Sequence, residues 1–390
     1  MGSSAADMLG GKLPTGTWFY SFMFGDSKTL IPEYVALGRL PAPSSLVIGM
    51  AVGVLLTAIR VLLDFAVFKP LARRILGVSG TQPCSPVPVL DALCSKHKFL
   101  SPEELTESSK CTEMSVEQVR EYAKMKRVTS LQDTQLGKFK EAAWRLVVYA
   151  SLVTFALKMS FGETWFRDPY LVWENWPAAD HLEVLGAYYH VAMGVYWHFI
   201  VFQFWDTRRS DFWQMLIHHV ATLFLLVFSW FLSLVRIGTL IMLCHDVSDV
   251  FMESAKLFNY SQKRHHWCHL AADGVFFVFA VVFGVSRLYI FPRYMVFNVW
   301  QTETLSNVAR LFFCGLLVTL LVLHVFWFGL ILRMVYMFVW HGVEEDIRSD
   351  NEAEGNGSAN GHKGSANGHN GHKAKSVANG NGRPHGKKDA

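Results

Sequence analysis

His218-His219-Val220-Ala221-Thr222, followed one helix later by Leu243-Cys244-His245-Asp246-Val247-Ser248-Asp249, decides how this chain is read. Both stretches sit inside apolar segments long enough to cross a bilayer. Ionisable side chains at membrane depth are expensive and by default mark a function. Two histidines on one span and a His-Asp-x-x-Asp run on the next make a buried acid–base cluster. The rest of the chain reads as its housing.

Composition agrees with a membrane setting. Of 390 residues, 51% are hydrophobic, 14% aromatic and only 17% charged, which points to a polytopic all-α membrane protein rather than a large soluble enzyme. Six cysteines (84, 94, 111, 244, 268 and 314) show no paired metal spacing, and the last three fall in or beside spans as small buried residues. Residues 1–45 form an arm with Lys12, Pro14, Asp26, Lys28 and Pro32 and no clean apolar core. No cleavable signal peptide is expected there, so the first span would direct insertion.

Seven spans are expected, near 46–68, 143–160, 183–205, 212–234, 237–257, 270–291 and 310–338. In the first, Arg60 and Asp64 are read as a pair four residues apart on one face. The loop 69–141 carries twelve Lys and Arg, whereas 161–182 has Arg167 against Glu163, Asp168, Glu174 and Asp180. Arg208-Arg209 and Lys263-Arg264 fall on the basic side. Lysine and arginine excess marks the cytosol, which makes the arm lumenal and the C-terminus cytosolic. After Trp340 the chain turns acidic and ends in Asn-Gly-His and Gly-His-Lys repeats, so 350–390 is expected to be disordered. Ser349, followed by Asp350, Asn351 and Glu352, fits an acidophilic kinase and is the expected modification site.

Depth brings the polar residues together. Span 4 starts near Phe212, so His218 and His219 lie ~10 Å below the cytosolic end. Span 5 returns to end near Phe258, which puts Asp249 ~13 Å and Asp246 ~18 Å from that face. Span 3 ends near Asp206, which puts His198 at ~12 Å. Asp246, Asp249 and Glu253 share one helix face, and His245 and Asp249 are placed to bond each other at i, i+4. Lone histidines such as His190, His198 and His324 also fit the plainer role of interhelical hydrogen bonder. A neutral histidine backed by a carboxylate is what a general base needs at neutral pH. An iron site is not expected, because the HHxxH order at His265-His266-Trp267-Cys268-His269 has no HxxxH companion and lies in a short basic loop. A seven-span receptor would leave the His-rich centre unexplained.

At these residues the chain resembles the ceramide synthases of the TRAM-Lag1-CLN8 (TLC) membrane family. Residues 218–260, HHVATLFLLVFSWFLSLVRIGTLIMLCHDVSDVFMESAKLFNY, read as the Lag1 motif over its full length. The likeness extends back through Tyr188-Tyr189, Tyr196-Trp197, Gln203 and Asp206, and forward through Arg287-Leu288-Tyr289-Ile290-Phe291-Pro292. It covers roughly 140–345 well, with 142–340 as the TLC domain of six spans around a central acyl cavity. Residues 115–145 resemble the end of a Hox-like segment, but the stretch before them looks too short and irregular for three helices. The homeodomain recognition signature is absent, so DNA binding is not expected. A basic face near the headgroups or a CoA substrate is the better account of Lys124, Lys126 and Arg127.

The resemblance implies an acyltransferase of the endoplasmic reticulum membrane that moves a fatty acyl group from acyl-CoA to the amine of a sphingoid base. Acyl-CoA is a substrate, and no cofactor or metal is implied. Membrane lipids are partners, and whether a homodimer or heterodimer forms is left open. His218, His219, Asp246 and Asp249 are the catalytic candidates. His218 either carries the acyl group as an acyl-imidazole or acts, with His219, as general base. Asp246 would orient the imidazole as the acid of a triad does, and Asp249 would handle the amine. His245, His198, Tyr189, Trp197, Arg208 and Arg209 are the expected substrate contacts. The alternative is a non-catalytic lipid carrier or translocon-associated chaperone on the same scaffold, which would need no adjacent base and carboxylate.

Overall fold

The computed structural model describes residues 41, 45–78, 86–97, 100–176, 179–262, 265 and 267–341. Every regular element among them is helical. The long helices are α1 (Leu46–Leu76), α4 (Val116–Ser160), α5 (Ala179–Phe202), α6 (Phe212–Phe231), α7 (Val235–Ser261), α8 (Trp267–Gln301) and α9 (Asn307–His341). Short helices α2 (Pro88–Lys96) and α3 (Pro102–Thr112) stand between α1 and α4. Each of the seven expected spans overlaps one long helix, although 183–205 and 212–234 run three residues past the ends of α5 and α6. Five of these, α1, α4, α6, α8 and α9, are long and apolar enough to cross a membrane, and the protein is a multi-pass membrane protein. The other two, α5 and α7, have 24 and 27 residues. They are lowered in hydropathy by the His, Tyr, Asp and Glu they carry. Ser349 and the tail 350–390 lie outside the described residues.

α1 docks on α5 because small residues let the backbones approach. Gly49 abuts Met193, and Gly53 meets Gly194, where an added Cβ would sit 2.7 Å from Val52 Cγ1 and 2.8 Å from Gly53 N. Close packing of this kind replaces the hydrophobic drive that is missing between helices in lipid. Arg60 and Asp64 do not pair with each other. Arg60 bonds Asp206 in the turn after α5, and Asp64 pairs with Lys140 of α4 at 3.2 Å. Their carboxylate and ammonium partners on other helices out-compete the local i, i+4 contact and fasten α1 to the bundle.

The segment before α4 holds two short helices, α2 and α3, and not three, but it is more regular than expected. Ser101 with Glu104 and Ser115 with Gln118 make two capping boxes that start α3 and α4. Leu90, Leu105, Val119 and Tyr122 then bury a small common core. The Tyr122 hydroxyl donates to Asp91 Oδ1 at 2.7 Å, and Lys126 reaches the same carboxylate at 2.8 Å. The Lys126 ammonium, and then the Tyr122 hydroxyl, hold the Asp91 carboxyl below its ordinary range. α4 has 45 residues, about 67 Å at 1.5 Å per residue, against a bilayer core of ~30 Å. It therefore leaves the bundle as a stalk. Lys124, Lys126 and Arg127 lie about 27–32 Å up this stalk from Arg145, some three Debye lengths or more, instead of beside the bundle's end.

Candidate active site

A cavity of about 220 Å³ enters the bundle at the stalk end. Asp206, Arg209, Asn259 and Gln262 line its mouth, and His218, Phe283, Arg287 and Trp327 line its depth. A smaller apolar pocket of about 30 Å³ lies beyond His245, lined by Leu225, Leu226, Phe313, Leu317 and their neighbours. A layer of histidines separates the two. The sequence therefore builds one charged vestibule and one apolar slot from the same helices, because α6 and α7 are polar near the stalk end and aliphatic beyond it.

Within that layer, α6 supplies His218 and His219, α7 supplies His245 and α9 supplies His324. The His218 ring lies 6.1 Å from His245, 6.4 Å from His324 and 5.4 Å from Trp327 between centroids. His218 is buried, lines the cavity, and its Nδ1 bonds no described residue. The neighbouring tautomers follow from the hydrogen-bond network. His245 Nδ1 donates to the Ile241 carbonyl at 2.6 Å, so a neutral ring presents its Nε2 lone pair. His324 Nε2 faces it at 3.0 Å and must donate. Gln203 gives its NH2 to the Phe212 carbonyl at 2.7 Å, which turns Oε1 toward His219 Nδ1 at 3.0 Å. An amide oxygen only accepts, so His219 Nδ1 carries the proton and Nε2 keeps the lone pair.

The carboxylates do not sit where the sequence placed them. Asp246 is fully buried, but neither of its oxygens bonds a described residue, so the triad-like contact with His218 is not made. His245 does not bond Asp249 either, because its Nδ1 is held by its own helix at Ile241. Asp249 instead accepts from Arg287 at 2.6 Å. Glu253 pairs with Lys256 at 2.8 Å and also lines the cavity. Arg287 comes from a π-helical stretch of α8, Gly284–Val296, that contains Pro292. π-turns change which residues face a neighbour and recur at functional sites. An arginine inside an apolar span is itself a signal that marks Arg287 from the sequence. Gln203 and His324 carry no such signal: each is a single polar residue whose pairing, with His219 and His245, only the fold shows.

Several expected substrate contacts lie elsewhere. Trp144 Nε1–H donates to His198 Nε2 at 3.0 Å, and His198 Nδ1 meets Thr57 Oγ1 at 3.0 Å. His198 thus joins α4, α5 and α1 and is absent from the residues lining the cavity. Tyr189 is buried against Gly238, with its hydroxyl near Ser229 Oγ at 3.2 Å and the Leu234 carbonyl at 3.3 Å. Trp197 is partly exposed on the bundle surface. Arg208 stacks over Phe212 at 5.0 Å, whereas Arg209 does line the cavity mouth, 4.0 Å from Glu141. Among the described residues, no group of three or more His, Cys, Asp or Glu is arranged to hold a metal ion.

Comparison with known proteins identifies the family. The family model of the TLC domain matches residues 138–333. Ceramide synthase 4 of Homo sapiens is 32% identical over 326 residues, covering 81% of this chain and 80% of that protein. Ceramide synthase 3 of Homo sapiens is 30% identical over 316 residues, covering 80% of each. Ceramide synthase LOH2 of Arabidopsis thaliana is 36% identical over 229 residues, covering 56% of this chain and 76% of that protein.

Proposed function

The chain belongs to the TLC domain family alongside these ceramide synthases, and from that premise we propose that it transfers a fatty acyl group from acyl-CoA to the amine of a sphingoid base. The observation that carries this reading is His218 at the depth of the cavity, with an Nδ1 that bonds no described residue. A buried imidazole nitrogen without a partner is costly unless it serves a ligand. His219 stands beside it, its tautomer set by Gln203.

The reaction divides between these two rings. His218 attacks the thioester carbonyl carbon, a C–N bond forms, and the carbonyl electron pair moves onto oxygen. Collapse of that oxyanion breaks the C–S bond, releases CoA thiolate and leaves the acyl group on His218. His219 Nε2 then takes one proton from the sphingoid ammonium, the free amine attacks the acyl carbon, the C–N bond to His218 breaks, and the amine's second proton passes to the departing His218 nitrogen. Asp249 faces the cavity to hold the amine. Asp246, fully buried and with neither oxygen bonded to a described residue, does not touch His218. The cationic loops and the cavity mouth share the cytosolic side of the endoplasmic reticulum membrane, where a water-soluble CoA head can approach. The acyl chain extends past His245 into the apolar slot.

Purified full-length protein given acyl-CoA and sphinganine should form the N-acyl product, and His218→Ala should abolish it while the protein stays folded. Given acyl-CoA alone, the wild type should release CoA stoichiometric with enzyme and gain one acyl mass at His218 after an acidic quench. Turnover without that burst assigns His218 to direct base catalysis. No transfer from any of a panel of acyl-CoAs would sink the reading in favour of a lipid carrier.

A further inference from the structure

Within the acyl-transfer reading, on which this step rests, we infer that Arg287 Nη1 is the donor that receives the charge developing on the reacting carbonyl oxygen. Arg287 is 4% exposed and lines the cavity together with His218. Its Nε donates to Ser248 Oγ at 3.0 Å. Its Nη2 donates to the His245 carbonyl at 3.0 Å and to Asp249 at 2.6 Å. All three acceptors belong to α7. The guanidinium is a rigid planar fork, so engaging its Nε–Nη2 edge on one helix turns Nη1 away from that helix. Nη1 bonds none of the described residues. The Phe283 ring lies 4.7 Å from the guanidinium carbon and covers one face.

This arrangement is what an oxyanion donor requires. Its geometry is fixed before substrate arrives, by a clamp on the backbone that also carries His245. It is partly dry, and its donors add to the carbonyl as charge develops. The chemistry needs no proton from arginine. When a nitrogen attacks the thioester carbon, the carbonyl electron pair moves onto oxygen, and the Nη1–H groups accept that charge as hydrogen bonds. The pair returns when the C–S bond breaks and CoA thiolate leaves. The role is the same whether the attacking nitrogen is His218 or the sphingoid amine. The π-helical stretch of α8 has a purpose in this account, since Arg287 lies within it and reaches α7 from there.

The test compares an ordinary acyl-CoA with its dithioester analogue, in which the carbonyl oxygen is replaced by sulfur, a poor hydrogen-bond acceptor. Arg287→Lys keeps the charge but cannot hold three acceptors and present a fourth donor. Arg287→Gln removes the charge and the Nη1 donors while its amide NH2 can still donate to Asp249. Both should run as folded protein on size exclusion and lose about 10²–10³-fold in kcat with the oxygen thioester. KM should change little, and the loss with the dithioester should be far smaller. Equal losses with both donors, or full kcat in a folded variant, overturn the assignment. If neither variant folds, the wild type decides alone. An oxygen-over-sulfur preference no larger than that of the uncatalysed aminolysis also overturns it. Wild-type protein that acylates no sphingoid base defeats the underlying reading, and the Arg287 role falls with it.

Discussion

His198→Leu separates a structural histidine from a substrate contact. The ring is buried, takes a hydrogen bond from Trp144 and meets Thr57, both at 3.0 Å. Leucine fills similar space without polar atoms. Its introduction orphans the buried Trp144 N–H, at a cost of about 1–3 kcal/mol. It also removes one interhelical bond worth about 0.6 kcal/mol in a membrane protein. The total, roughly 1.5–3.5 kcal/mol, lowers the folded-to-unfolded ratio by about one to two and a half orders of magnitude. Thr57 still donates to the Gly53 carbonyl at 2.9 Å, so it loses little. Adding Trp144→Phe removes the orphaned donor, and the double variant should recover about 1 kcal/mol relative to additivity. The assay is SDS unfolding in mixed micelles followed by helical circular dichroism, with kcat and KM measured on the folded fraction. Stability should fall while kcat/KM stays within about twofold of wild type. A His198→Leu protein of normal stability whose kcat/KM falls about tenfold, or 1.4 kcal/mol, would refute the structural role and return His198 to the substrate.

Gly194→Ala should push α1 off α5, because the new Cβ meets Val52 Cγ1 and the backbone nitrogen of Gly53, and backbone cannot swing aside. A loss of about 1–3 kcal/mol in the same SDS unfolding assay is expected, and an unchanged midpoint would show that the two helices part freely. Orientation is read by epitopes inserted near Cys94 and at the C-terminus. Both should be reached after selective permeabilisation of the plasma membrane, and protection of either would reverse the expected topology.

Much of the fold was legible because hydropathy and length determine where a chain can cross a membrane. All seven expected spans overlap long helices, and five of those helices are long and apolar enough to cross a membrane. The small unit before α4 was not legible, since its core is only Leu90, Leu105, Val119 and Tyr122. Four residues spread over thirty-odd positions leave no periodic signal. The two capping boxes that delimit its helices were visible in the sequence as Ser-x-x-Glu and Ser-x-x-Gln. The seam between α1 and α5 was equally hidden. Gly49 and Gly53 could be seen as a small-xxx-small pair, but only contact reveals that Gly194 is their partner.

The site divides along a physical line. Membrane depth could be counted from the sequence, and His218, His219 and Asp249 do line one cavity, whereas His198, counted to the same layer, does not. Direction about the helix axis could not be assigned for pairs, because each polar group had several partners within reach. Asp249 chose Arg287 over His245 for a reason of charge: an arginine satisfies a buried carboxylate with a charged bond, whereas a neutral histidine offers a weaker one. Once Arg287 takes Asp249, His245 is free to bond its own helix at Ile241 and to present Nε2 to His324. One ionic choice therefore rearranges the whole layer. It turns an expected His–carboxylate triad into a histidine layer flanked by an arginine clamp, and it leaves His219 and Gln203 as the pair with a defined base nitrogen.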